Sequence, residues 1–127
     1  MEVIAQNSFY TIKVDKKKNR VYNIFSGYWQ KESDVPNYLN DGHKAMKHVS
    51  KGFTCLTDTV KMKIPSEAIS KLHVKMQKIY MDAGLRKTAE ILPSALVKLA
   101  VKRLSDQSGM LAKAFDSWEE AEKWLDN

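Results

Sequence analysis

The sequence predicts an α/β fold: a mixed, mostly parallel sheet that opens with an antiparallel hairpin and is shielded by four helices. Two observations carry this expectation. Near the N-terminus, two segments alternate apolar and polar residues at the strand period of two, with a lysine-rich turn between them. Beyond them, short β-branched or apolar runs alternate with longer runs whose apolar residues recur every three or four positions, giving the order β-β-α-β-α-β-α-β-α. Strands separated by helices need crossover connections, and crossovers place neighbouring strands parallel.

The first strand is read in Phe9–Asp15, where Tyr10, Ile12 and Val14 alternate with more polar residues, and the second in Arg20–Ser26. Lys16, Lys17, Lys18 and Asn19 form the turn. Ser33 or Asp34 is a suitable N-cap for a helix with Pro36 in its first turn. Its stripe is Val35, Leu39, Gly42, Met46 and Val49, and Gly52 supplies the stop. Phe53–Thr57 reads as a strand covered on both faces, with Asp58 and Thr59 at its end. Pro65 and Ser66 open the clearest helix, marked by Ile69, Leu72, Met76, Ile79, Tyr80 and Ala83 and closed by Gly84. Lys87–Leu92 is the next strand. Pro93 and Ser94 open a third helix bearing Leu96, Val97, Ala100, Val101 and Leu104. Leu111–Phe115 is the last strand. Ser117 and Glu120 have capping-box spacing at the head of a final helix that carries Ala121, Trp124 and Leu125.

A length of 127 residues without repeats or low-complexity linkers fits one domain over 1–127. The single cysteine, Cys55, sits among Phe53, Thr54 and Leu56 and fits a reducing compartment. The N-terminal segment lacks the basic and apolar regions of a signal peptide, and lysines break the most apolar region before it reaches membrane-spanning length. A cytoplasmic location is the expectation. The net charge of +6 favours acidic partners weakly and serves solubility equally well.

The element order and the closing Phe115-Asp-Ser-Trp-Glu-Glu-Ala-Glu-Lys-Trp-Leu125 resemble small bacterial proteins of the STAS-like group. These are similar to anti-sigma-factor antagonists and share their fold type with CRAL-TRIO lipid-transfer domains. The features shared with the group are Phe115, Ala121, Trp124 and Leu125, and the resemblance extends from about Tyr10 onward. In anti-sigma-factor antagonists an aspartate and a phosphorylatable serine stand between strand and helix, and Asp58 and Thr59 match that pair. The family motif continues with serine and glycine, whereas this chain reads Val60-Lys-Met-Lys-Ile-Pro65. The resemblance therefore implies a non-enzymatic domain that binds a small apolar or anionic ligand or a protein partner. The alternative it implies is a phospho-regulated switch with Thr59 as the phosphoacceptor.

In a parallel sheet Asp58, Thr59, Lys61, Lys63, Ser66 and Ser94 gather near the C-terminal strand ends, where open α/β sheets bind ligands. Helix N-termini and the two lysines there suit a phosphate or carboxylate. Capping by Ser66 and Ser94, with solvated lysines, accounts for the same residues. Lys16, Lys17, Lys18 and Arg20 could meet nucleic acid or an anionic membrane, but an exposed hairpin tip explains them too, and nucleic acid is not the expected partner. Tyr28, Trp29, Tyr38, Met46, Met62, Met76 and Met81 could either line an apolar cavity or fill a core.

No enzyme motif stands out. There is no GxSxG elbow and no phosphate-binding glycine loop, and Cys55 reads as an inert core thiol. His43, His48 and His73 do not assemble with Cys55 into a metal-ligand pattern, so no metal and no cofactor are expected. His73 reads as a border residue of its helix. A homodimer is expected only where an apolar helix face stays exposed.

Overall fold

The computed structural model describes residues 1–93 and 111–127. Within them one six-stranded sheet runs in simple sequential order. Its strands are β1 (Glu2–Gln6), β2 (Tyr10–Asp15), β3 (Arg20–Gly27), β4 (Thr54–Met62), β5 (Lys87–Ile91) and β6 (Ala112–Phe115). β1, β2 and β3 are antiparallel, whereas β3 through β6 are parallel neighbours. A short 3-10 turn at Glu32–Asp34 precedes α1 (Tyr38–Met46), followed by α2 (Glu67–Asp82) and α3 (Trp118–Asp126).

Three expectations are corrected. The antiparallel part has three strands, because β1 was not expected. Glu2–Gln6 lacks strict alternation and lies at an exposed sheet edge with an irregular register between Val3 and Ala5. The first helix begins later than its capping residues suggest: Ser33 and Asp34 fall in the 3-10 turn, and Asn37 precedes α1. β4 runs on to Met62 instead of ending at Thr57. Three α-helices occur among the described residues, and the helix expected after Pro93, with Ser94, lies outside them. No helix among the described residues is long and apolar enough to cross a membrane.

Successive parallel strands added in one direction need their crossovers on one face, and α1 and α2 do share a core with β2 and β3. It contains Tyr10, Ile12, Val14, Val21, Phe25, Trp29, Tyr38, Ile69, Leu72 and Met76. Gly42 is required where the two helices meet: a Cβ there would lie 2.1 Å from the Met76 Sδ. The opposite face belongs to α3, whose Ala121 and Leu125 pack on Tyr22, Leu56, Ala89, Ile91 and Phe115. As expected, the Ser117 hydroxyl caps α3 by accepting from the Glu120 N–H at 3.4 Å.

Strand parity explains the split. On β3, Val21, Asn23 and Phe25 point to α1 and α2, while Arg20 and Tyr22 point to α3. The Arg20 side chain is only 2% exposed, which corrects its assignment to the exposed basic tip. Its Nε donates to Thr54 Oγ1 at 2.8 Å, and its guanidinium pairs with Glu122 at 3.1 Å and Asp126 at 2.8 Å. Tyr22 also donates to Glu122, at 2.7 Å. Burial alone would raise the Glu122 pKa, but these hydrogen bonds and the Arg20 charge hold it below the usual carboxylate range.

Candidate functional site

The sheet face that carries α1 and α2 changes character across its width. Over β2 and β3 it is apolar and covered. Over β4 and β5 it presents Cys55, Thr57, Thr88 and Glu90, which border a cavity of about 700 Å³ walled by α2. That volume lies within the range of ordinary small-molecule sites. Phe25, Met62, Met76 and Leu85 supply apolar wall, and Tyr38, His73, Gln77 and Tyr80 bring polar groups to it.

A β-bulge shapes the rim. Ile24 pairs with Asp58 and Ser26 with Lys61, so β4 holds one more residue than β3 across this interval. The inserted residue shifts strand parity, which lets Thr57, Thr59, Val60 and Met62 all border the cavity.

Polar side chains at the back of the cavity hold one another. The Tyr80 hydroxyl donates to Asn23 Oδ1 at 3.2 Å, and Asn23 Nδ2 donates to Cys55 Sγ at 3.4 Å. Tyr38 Oη and His73 Nδ1 share a hydrogen bond of 3.1 Å. The imidazole lies within 5.1–5.5 Å, centroid to centroid, of Phe25, Trp29 and Tyr38. It is therefore part of an aromatic cluster, at intermediate burial on the border of the apolar face of α2. Burial pushes its pKa down to about 4 and the Cys55 thiol up to about 11, and it raises the phenols of Tyr38 and Tyr80 above their ordinary value. At neutral pH these groups are uncharged.

The expected site residues do not converge. Asp58 faces α3: its carboxylate accepts from Trp118 Nε1 at 2.8 Å and from the Val60 N–H at 3.0 Å, while Trp118 stacks on Tyr22. Thr59 borders the cavity, but it lies within β4 and its hydroxyl donates to the Ile91 carbonyl at 3.0 Å. Ser66 caps α2 by accepting from the Ile69 N–H at 3.3 Å, and its hydroxyl donates to the Gln30 carbonyl at 2.6 Å. Lys63 lines the cavity and is exposed, whereas Lys61 is exposed but does not line it. Ser94 lies outside the described residues. Among the aromatic and methionine candidates, Tyr38, Met62 and Met76 line the cavity, Trp29 is buried behind it, and Tyr28 faces solvent.

Sequence reasoning missed Asn23, Thr57, Thr88, Glu90 and Gln77. The available signal was polar residues at inward-facing positions of strands that ought to be apolar on both faces. Among the described residues no group of three or more His, Cys, Asp or Glu side chains could hold a metal ion.

The whole architecture has a solved counterpart. The chain is similar, at 15% identity and a TM-score of 0.70, to an uncharacterized protein from the DUF3478 family with a SpoIIAA-like fold from Shewanella loihica PV-4. The match covers 95% of this chain and 98% of that one. The fold is SpoIIAA-like. This is the STAS-like fold of anti-sigma-factor antagonists, as the order of elements led us to expect. No family model and no curated protein matches the sequence.

Proposed function

We propose that this SpoIIAA-like chain is a non-enzymatic binding domain whose ligand is a small, largely apolar molecule carrying an uncharged hydrogen-bonding group. One observation carries the reading: a cavity of about 700 Å³ lies over β4 and β5, and polar side chains at its back sit among apolar walls. Polar groups are costly to bury without partners. A few convergent polar groups in a mainly apolar cleft are the usual means of orienting a ligand.

Protonation favours binding over catalysis. A general base works best with a pKa near the operating pH, whereas His73 is pushed down to about 4 and Cys55 up to about 11. Charge at the cavity favours an uncharged ligand interior: Lys63 is the one cation among the described lining residues, and Glu90 brings an acid. An anionic head would have to sit at the mouth.

Native mass spectrometry of protein purified from its native source tests the proposal. The expected result is a defined mass excess that denaturing extraction releases as an amphiphilic compound. Protein free of any such compound, and unable to take up a small uncharged amphiphile such as 1-decanol, would overturn it.

A further inference from the structure

We propose that the mouth of the cavity docks on an anionic membrane surface through the β4–α2 connection and the adjoining side of α2. The proposal rests on the binding reading for its purpose, since a sparingly soluble ligand exchanges most readily where it is dissolved. Three aliphatic side chains that line the cavity also stand out into solvent: Ile64 is 90% exposed, Val74 62% and Val60 46%. Scattered single exposed aliphatics need no explanation. These three share one opening.

Lysine stands beside them. Lys63 lines the cavity next to Ile64, is exposed, and forms no ion pair among the described residues. The acids nearby do not oppose this charge at the rim. Glu67 is paired with Lys71 at 3.5 Å, Asp58 is turned to Trp118 on the other face, and Glu90 borders the cavity itself. Aliphatic side chains beside a lysine suit the boundary between headgroups and acyl chains. A protein partner would more typically meet tryptophan, tyrosine or arginine anchors.

Co-sedimentation with equimolar phosphatidylglycerol and phosphatidylcholine vesicles, against pure phosphatidylcholine, tests the proposal. The full chain should bind the anionic vesicles preferentially. Ile64→Ser should weaken that binding about tenfold, and Lys63→Gln should weaken it about fivefold. Both are exposed positions, so circular dichroism should report an unchanged fold. Absence of binding, equal binding to neutral vesicles, or binding indifferent to Ile64→Ser would each overturn the proposal. Ligand content in vesicle-free solution is read separately. Docking that depends on Ile64 sustains the membrane contact even in ligand-free protein, whereas ligand-loaded protein that ignores vesicles refutes the contact and leaves the binding reading standing.

Discussion

The two faces of the sheet solve the problem of burying polar groups in opposite ways. On the α3 face the cations Arg20, Arg86 and Lys87 meet countercharges or carbonyls. Arg20 is clamped between Glu122 and Asp126, Arg86 donates to the Leu125 carbonyl at 3.0 Å, and Lys87 donates to the Trp124 carbonyl and lies over the Trp124 ring. On the α2 face the polar groups at the back of the cavity, Asn23, Tyr38, Cys55, His73 and Tyr80, are neutral and hold one another. The difference teaches that polarity on one face attaches a helix, while on the other it borders the cavity for which we propose binding. Substitutions on the α3 face should cost stability, and substitutions on the cavity face should cost binding.

The largest effect should come from Arg20→Met. The substitution removes the Arg20 hydrogen bonds and leaves the buried Thr54 hydroxyl without its partner, which costs about 3 kcal/mol, read as a lower denaturation midpoint in urea. If Arg20→Met were neutral, the salt bridges would not be what holds α3 in place.

A pH dependence should follow from His73. Its folded-state pKa of about 4 lies below the ordinary 6.5, so the unfolded chain takes up the proton first as pH falls. Stability from this group is therefore full above pH 6.5, declines between about 6.5 and 4, and is flat below. The loss should be about 2 kcal/mol. Urea titrations of the native chain and of His73→Phe across this window check the expectation, since the difference between the two curves should shrink with rising pH.

Gly42→Ala comes next. Its Cβ would meet Met76 at the α1–α2 contact, and forcing that methionine aside should cost about 1–2 kcal/mol. Part of the displaced side chain would enter the cavity, so this variant should also bind ligand less well. A variant that loses stability and keeps full binding would separate the helix contact from the cavity. The smallest stability effect is expected for Thr57→Val, within about 0.5 kcal/mol. Its affinity for a ligand such as 1-decanol should fall about fivefold through loss of a hydrogen bond. Equal binding by Thr57→Val would remove that hydroxyl from recognition.

What was legible in the sequence follows from how local each signal is. α2 was readable because its cap, Ser66, and its stripe, Ile69, Leu72, Met76 and Tyr80, lie in one continuous segment. The same holds for α3 and Ser117. β1 was missed because an edge strand that only partly buries Ile4 and Ala5 shows no strict alternation. The length of β4 was missed because the bulge opposite Phe25 breaks strand parity where Asp58 and Thr59 read as a loop. Arg20 was hidden by its lysine-rich neighbours. Its partners Glu122 and Asp126 stand one turn apart on a helix about a hundred residues away, and only the fold brings them together. The cavity was beyond reach for a related reason: volume left between elements depends on their spacing, and residue types alone do not specify it.

The most direct test of the cavity as a binding site is a methyl NMR titration of protein labelled at its methionine methyl groups, with 1-decanol as the probe. Met62 and Met76 line the cavity, whereas Met1 and Met81 do not and are exposed. The account expects saturable shifts of the Met62 and Met76 methyl signals with Met1 and Met81 unmoved. Unchanged Met62 and Met76 signals up to the solubility limit of the alcohol, or shifts confined to Met1 and Met81, would contradict it.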